Sequence, residues 1–207
     1  MGSSGINGSD VGVGRGSIGY MKAKYYSIIT IGAAIGLVAS FMQIIEKLML
    51  LENKNATLVC NISSVFNCSS VLHAWQSSVF GFPNSLICII FFSLVMTVGL
   101  VGVTGGEVMR NMRLTVHALM VGMLGFALWF LFQSMFVIGA VCILCLFCFL
   151  GLLMINGAML RLNFGASQEV KDEDTVMSRI IHYDIDLIAW VILAMIIITC
   201  IAMRFYV

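Results

Sequence analysis

The chain has 207 residues, of which 60% are hydrophobic and only 10% are charged, and it contains a single proline. Soluble domains carry about 25% charged residues, so this composition excludes an ordinary soluble domain and indicates an integral membrane protein. The formal net charge is +1, and no basic stripe interleaved with aromatic residues occurs, which argues against nucleic-acid binding.

Five apolar segments follow a Gly- and Ser-rich beginning. Residues 1–25 are predicted to form a flexible cytoplasmic tail. The apolar segments approach the ~20 residues that a helix needs to cross a bilayer. A tight hairpin is expected near Gly139, where the third and fourth segments almost meet. The sequence therefore predicts an all-α membrane domain over 26–207, with spans at about 26–46, 84–104, 114–136, 138–160 and 186–204.

The longest polar segment between the spans, 47–83, contains the cysteine pair Cys60 and Cys68. Its middle part, 65–75, has apolar residues at a spacing that predicts a short amphipathic helix on the membrane face. Two cysteines in one loop can form a fixed disulfide staple, or they can exchange with other thiols. Taken alone, this pair favours the staple.

A second cysteine pair, Cys142 and Cys145, forms a C-x-x-C motif where the fourth span begins. Two cysteines one helical turn apart can close into a short disulfide and reopen. A thiol at the start of a helix is close to the positive end of the helix dipole, which favours the thiolate that attacks disulfides. With the loop pair on the same side, the sequence indicates a thiol relay.

The Lys and Arg residues predict the orientation, because basic residues concentrate on the cytoplasmic side. With the N-terminus inside, Lys47, Lys54 and Arg204 lie outside. Both cysteine pairs then face the outer, oxidising side, where disulfide chemistry persists. The inner segments hold the other eight basic residues, Arg15, Lys22, Lys24, Arg110, Arg113, Arg161, Lys171 and Arg179.

The three other cysteines are interpreted as small buried hydrophobic residues. They are Cys88, Cys148 and Cys200. A metal site built on Cys148 and the C-x-x-C pair is not expected, because no cluster of outer histidines accompanies these thiols.

Three sequence pieces occur in a specific order. They are CNISSVFNCSSVL at 60–72, VFGFPNSL at 79–86 and VCILC at 141–145. This combination resembles the vitamin K epoxide reductase family and, within it, the bacterial homologues. The resemblance covers the first four spans and implies a four-helix bundle around a quinone, to which the fifth transmembrane helix is added.

The resemblance implies a quinone-dependent thiol oxidoreductase that generates disulfides. Electrons would pass from a thioredoxin-like partner to Cys60 and Cys68, then to Cys142 and Cys145, and finally to a membrane quinone, either menaquinone or ubiquinone. Cys142 is expected to exchange with the loop and Cys145 to meet the quinone. The resemblance also implies that the Asn84 amide hydrogen-bonds a quinone carbonyl.

Two aromatic residues, Trp129 and Phe149, are assigned to the quinone site. Phe149 stands where vertebrate family members have a tyrosine, so a hydroxyl contact is missing there. The stripe that Trp129 forms with Phe130 and Phe132 could instead be helix packing, the commoner role of such stripes. Asn84 could likewise only cap the second span.

Further features of the resemblance concern the loop and the partner. Ala74 stands where the family often has Ser or Thr, with Ser77 and Ser78 as candidate replacements. No thioredoxin domain follows the fifth span, so the partner is expected to be a separate DsbA-type protein in the periplasm or another extracytoplasmic space. The expected location is the inner (cytoplasmic) membrane, as a multi-pass protein whose active site faces outside.

Two alternatives stay open. The DsbB family carries out the same reaction on a four-helix bundle, but its C-x-x-C pair precedes the loop pair, the reverse of the order here. The other alternative is a non-catalytic membrane protein with a stapled outer loop. Redox titration separates this second alternative from a relay, because a staple stays oxidised while a relay cycles with quinone.

Overall fold

The computed structural model describes residues 10–53, 58–63, 65–165 and 185–206. Within these ranges the regular structure is helical, which confirms the predicted all-α class. Residues 1–9 of the predicted tail lie outside the described residues. So do Lys54, Lys171 and Arg179, on which the orientation partly depends.

The described residues form one short and five long helices. A 3-10 turn at Trp75–Ser78 follows the second helix, and π-helical turns at Ser134–Ile138 and Arg161–Gly165 extend the fourth and fifth. The helices are α1 (Asp10–Glu52), α2 (Cys68–His73), α3 (Asn84–Val103), α4 (Arg110–Gln133), α5 (Ile143–Leu160) and α6 (Ile185–Tyr206).

Four stretches of the described helices are long and apolar enough to cross a membrane. This agrees with the first four predicted spans. Helix α6 coincides with the predicted fifth span, whose crossing of the membrane stays a prediction. The four stretches are Lys22–Glu52, Asn84–Val103, Arg110–Ile138 and Ile143–Phe164.

The ends of two predicted spans need correction. Helix α1 begins at Asp10 and ends at Glu52, so 10–25 is helical rather than a flexible tail, and the loop begins at Asn53. Once nucleated, a helix extends at one hydrogen bond per residue, and no proline interrupts this stretch. Helix α5 begins at Ile143 instead of 138, because Gly139 has a φ of +74° and ends the preceding helix.

Helix α1 packs against both α3 and α5, and α4 packs against α5. The centre of this bundle consists of fully buried side chains, including Ile29, Phe92, Met120 and Ile155. Small residues let the backbones of α1 and α5 approach closely. A Cβ atom built on Gly151 would lie 2.6 Å from the backbone oxygen of Gly32.

We expect Gly151→Ala to destabilise the bundle by about 1–3 kcal/mol, because the added methyl group meets backbone that cannot rotate away. The gain in helix propensity, up to about 1 kcal/mol, offsets only part of this loss. Thermal unfolding in detergent measures the change. Gly122→Ala is the matched control, since a Cβ there has no neighbour within 4 Å. Equal melting temperatures for the two variants would contradict the close approach.

Candidate active site

The connector between α4 and α5 carries the first cysteine of the C-x-x-C motif. Cys142 has extended backbone and is the N-cap residue of α5, which places Cys145 in the first turn of that helix. The backbone N–H groups of Gly139 and Ala140 both donate to the carbonyl of Ser134. These two bonds fix the path of the connector just before Cys142, and helix α5 fixes the chain just after it.

Backbone pairing joins the outer loop to this connector. Phe66 and Val141 form an isolated parallel bridge. The Val141 N–H donates to the carbonyl of Val65 at 2.8 Å, and the Asn67 N–H donates to the carbonyl of Val141 at 3.1 Å. This register places the residue after Asn67, which is Cys68, beside the residue after Val141, which is Cys142.

The sulfur atoms of the two pairs meet at this point. Cys60 and Cys68 form a disulfide, while Cys142 and Cys145 are free thiols. The sulfur of Cys142 lies 3.0 Å from that of Cys68. Cys60, Cys68 and Cys142 are all buried, and their sulfur atoms lie within 4.8 Å of one another. Because Cys60 and Cys68 are joined by a disulfide, the cluster consists of a disulfide with a free thiol in contact with one of its sulfur atoms.

The environment of Cys142 favours its thiolate. A hydrogen bond with the Cys145 thiol is the main cause that lowers the pKa of Cys142. The backbone N–H groups of Cys145 and Leu144 lower this pKa further, while burial and the nearby carboxyl of Glu46 act in the opposite direction. The thiolate is the reactive form in disulfide exchange, so these contacts prepare Cys142 to enter or leave a disulfide.

A pocket opens directly beneath the C-x-x-C pair. Both cysteines line it, together with apolar side chains from α3, α4 and α5 and a few polar groups. Four of the polar groups are supplied by α1 and the start of α3. They are Gln43, Lys47, Asn84 and Ser85.

The family model described as "Vitamin K epoxide reductase family" matches residues 27–158, which is more than half of the chain. This range contains both cysteine pairs and the pocket. The chain belongs to the vitamin K epoxide reductase family. No curated protein matches it in sequence. Membership of this family makes the protein a multi-pass membrane thiol oxidoreductase with quinone-related chemistry.

Two of the three residues assigned to the quinone line the pocket of this vitamin K epoxide reductase homologue. Asn84 and Phe149 are lining residues, whereas Trp129 is not. From the stripe on α4, Phe130 lines the pocket, as does Phe126 one turn earlier. Trp129 instead packs against Phe126, with ring centroids 5.6 Å apart. The quinone-binding roles of Asn84, Phe149 and Trp129 stay predictions.

Asn84 also ties the loop to the start of α3. Its amide group donates to the carbonyl of Gln76 at 2.7 Å, and its side-chain oxygen accepts the Val79 N–H at 3.3 Å. The capping alternative is wrong, because Pro83 is the N-cap residue and the start of α3 has no side-chain cap. An Asn amide carries two hydrogens, so the Gln76 bond leaves one for a ligand in the pocket.

Lys47 was not predicted as a site residue because the outer loop was expected to begin at 47, whereas α1 extends to Glu52. Lys47 Nζ donates to the carbonyl of Leu72 and to the Ser77 hydroxyl. Ser77 is buried and donates to the same carbonyl at 2.7 Å. Between the two replacements proposed for the family's Ser or Thr, Ser77 is thus the buried one. Lys47 and Ser77 together hold the end of α2 through the carbonyl of Leu72.

Cys148 is buried, as expected, but it is also hydrogen-bonded. Its sulfur lies 3.3 Å from the Ser40 hydroxyl and accepts the Gln43 amide at 3.5 Å. Ser40, Gln43 and Lys47 repeat at intervals of three and four, so they share one face of α1. Polar residues at such spacing in an apolar span are the signal that could have located this wall of the site.

Glu46 is a further residue that the sequence did not single out. Its side chain is only 3% exposed. Oε2 of Glu46 lies 2.7 Å from the sulfur of Cys60. The backbone N–H groups of Cys60 and Val59 hydrogen-bond to the carboxyl group. A buried carboxyl therefore contacts Cys60, while the other loop cysteine, Cys68, contacts the C-x-x-C motif.

Proposed function

We propose that this vitamin K epoxide reductase homologue generates disulfides in a partner protein and passes the electrons to a membrane quinone. The observation that carries the proposal is the 3.0 Å separation between Cys142 and Cys68, with Cys145 lining the apolar pocket. One sulfur of the C-x-x-C pair thus meets the loop disulfide. Its neighbour faces the place where a lipid-soluble carrier would bind.

The electron path consists of disulfide exchanges. A thioredoxin-like partner with two thiols reduces the Cys60–Cys68 disulfide and is itself oxidised. The Cys68 thiolate then attacks Cys142 in a Cys142–Cys145 disulfide, so that the Cys68–Cys142 bond forms and Cys145 leaves as a thiolate. Cys60 next attacks Cys68, and Cys142 leaves. The result is a loop disulfide beside two free C-x-x-C thiols, which is the arrangement described above.

The residues of the pocket fit a quinone. A quinone, when bound, accepts two electrons and two protons. Phe126, Phe130 and Phe149 provide apolar walls that exclude water, and Asn84 offers an amide hydrogen for a carbonyl oxygen. Cys145 is the candidate electron donor because it lines the pocket, while Cys142 is the thiol in contact with the loop disulfide. The donors and walls suit menaquinone and ubiquinone equally.

The partner and the side of the membrane are also part of the proposal. We infer that a DsbA-type partner meets the protein on the outer side of the cytoplasmic membrane, because the basic residues favour an inner N-terminus and so place the cysteine loop outside. A thiol introduced at an exposed loop position by Ile62→Cys would then react with impermeant thiol reagents in intact cells.

The competing function is a non-catalytic membrane protein with a stapled loop. A staple does not need a free thiol beside it, whereas the buried thiol of Cys142 next to Cys68 is what exchange requires. Mixing the purified protein with a quinone and a reduced thioredoxin-like protein tests the difference. Catalysed loss of the quinone absorbance supports the relay. A loop disulfide that stays oxidised while quinone is unchanged would support the staple.

We expect Asn84→Ala to weaken apparent quinone affinity about two- to tenfold, because one hydrogen bond is worth about 0.5–1.5 kcal/mol. The loss of the bonds to Gln76 and Val79 should also lower the melting temperature. Quinone titration and thermal unfolding on the same variant separate the two roles. Reduced stability with an unchanged quinone dependence would restrict Asn84 to holding the loop.

A further inference from the structure

The buried carboxyl of Glu46 stands in contact with a reacting sulfur. Burying a carboxyl group is costly unless its oxygens are hydrogen-bonded, and in a membrane protein such groups are commonly functional. The backbone N–H groups of Val59 and Cys60 hydrogen-bond to this carboxyl, and they point it at the Cys60 sulfur. The contact distance of 2.7 Å is short enough for direct proton transfer once Cys60 is a thiol.

We propose that Glu46 is a catalytic residue that takes the proton from the Cys60 thiol when the loop disulfide forms and returns it when that disulfide opens. This rests on the relay proposed above. In the forming direction the proton moves from Cys60 to the Glu46 carboxylate. The Cys60 sulfur bonds to Cys68, the Cys68–Cys142 bond breaks, and its electron pair leaves on the Cys142 thiolate. The exchange is balanced, because one disulfide replaces another and one proton changes its carrier.

Proton transfer to water is hindered at this place, which is why a nearby base is needed. The exposed fractions are 4% for Cys60 and 3% for Glu46. A thiol must lose its proton before it attacks a disulfide. A thiolate and a carboxylate in direct contact repel each other, so the reduced pair holds one proton between the two groups.

The other titratable groups around Glu46 have different positions or tasks. Lys47, the next residue on α1, donates to the carbonyl of Leu72 and to Ser77. On the α5 side Cys142 interacts electrostatically with Glu46 but is the leaving thiol of the step, and it is supported by Cys145. On α2, His73 is exposed to solvent. Among these groups, Glu46 is therefore the one placed to accept the proton of the Cys60 thiol.

The leaving sulfur, that of Cys142, and the attacking sulfur, that of Cys60, are thus activated by different groups. The Cys142 thiolate is stabilised by hydrogen bonds from Cys145, so it is a good leaving group. The Cys60 thiol has a proton acceptor at contact distance. Glu46 and Cys145 act on opposite sulfurs of the three-sulfur cluster, which makes the closing of the loop disulfide the favoured resolution of the Cys68–Cys142 intermediate.

Glu46→Gln tests the proposal, because Gln keeps the shape and a carbonyl oxygen for the two backbone N–H groups but cannot accept the proton. With the protein donor near neutral pH, we expect turnover to fall about 100-fold, a common contribution of general acid–base catalysis. The rate should then rise about tenfold per pH unit as bulk solvent generates the thiolate. The Cys68–Cys142 disulfide should accumulate in acid-quenched, alkylated samples.

Three comparisons make the result decisive. Glu52→Gln, an exposed carboxyl farther along α1, should behave as the unchanged protein does. Glu46→Asp should recover part of the rate and the weaker pH dependence. A small membrane-permeant dithiol that reduces the C-x-x-C pair directly should bypass the defect of Glu46→Gln.

The proposal and the relay fail in distinguishable ways. If the unchanged protein moves no electrons from the protein donor through the loop, the relay itself is wrong. If it does, and Glu46→Gln has the unchanged pH profile without a trapped intermediate, the role of Glu46 is overturned. Equal loss of activity with the protein donor and with the dithiol would show a structural role and would overturn the proposal as well.

Discussion

Cys142→Ala and Cys145→Ala should each reduce quinone reduction to the uncatalysed background, whichever thiol donor is supplied. Each change leaves a single cysteine of the C-x-x-C pair at the pocket, and one thiol of the pair cannot close the disulfide that releases two electrons. The measurement is the initial rate of quinone absorbance loss, with the protein donor and with a small dithiol. Both donors should fail, because both depend on the same final pair.

The matched control for these variants is Cys200→Ala, which removes a thiol on α6 that does not line the pocket beneath the C-x-x-C pair. It should retain the full rate with both donors. Activity in Cys145→Ala at more than a small fraction of the control would show that another group donates to the quinone. The assignment of Cys145 would then be wrong.

The loop variants should separate the two donors. Cys60→Ala and Cys68→Ala should lose activity with a thioredoxin-like protein, because its electrons enter at the loop disulfide. They should keep most of the activity with a small membrane-permeant dithiol, which reaches the C-x-x-C pair itself. The same rate assay is run side by side with the two donors. The ratio of the rate with the protein donor to the rate with the dithiol should fall by orders of magnitude relative to the unchanged protein.

The two loop variants should also differ from each other. Cys60→Ala leaves Cys68 next to Cys142, so the Cys68–Cys142 disulfide should form and persist until the dithiol reduces it. Cys68→Ala removes the sulfur in contact, and no such species should appear. Full activity of either variant with the protein donor would mean that electrons bypass the loop. That result would contradict the relay.

Much of the helical framework follows from the sequence alone. Uninterrupted apolar runs predicted the four membrane-spanning helices, and the hairpin near Gly139 has a residue with positive φ, as a tight reversal requires. The short helix expected within 65–75 is α2, Cys68–His73. These features depend on local propensity and hydrophobicity, which can be read along one chain.

The polar wall of the site depends on contacts between distant segments. Gln43 and Glu46 lie in a helix of mostly apolar residues, and Lys47 was assigned to the outer loop because helix ends are poorly defined by hydropathy. The bridge between Phe66 and Val141 is irregular backbone pairing without a repeating pattern. It determines that Cys68 meets Cys142, yet spacing in the sequence does not specify it.

The aromatic residues of α4 show a second limit. Positions 126, 129, 130 and 132 are all aromatic, so they point in several directions around the helix. Composition alone does not say which of these directions faces the pocket. In the folded protein Phe126 and Phe130 line the pocket, while Phe132 is 54% exposed.

The most direct test of the relay is to trap its central intermediate. In a variant with both Cys60→Ala and Cys145→Ala, a mild chemical oxidant such as diamide should join Cys68 to Cys142. Mass spectrometry of non-reduced peptides should then identify this disulfide in most of the protein. The paired control, Cys60→Ala with Cys142→Ala, should give little of the Cys68–Cys145 product. Free thiols at Cys68 and Cys142 after oxidation, or equal cross-linking in the control, would contradict the account.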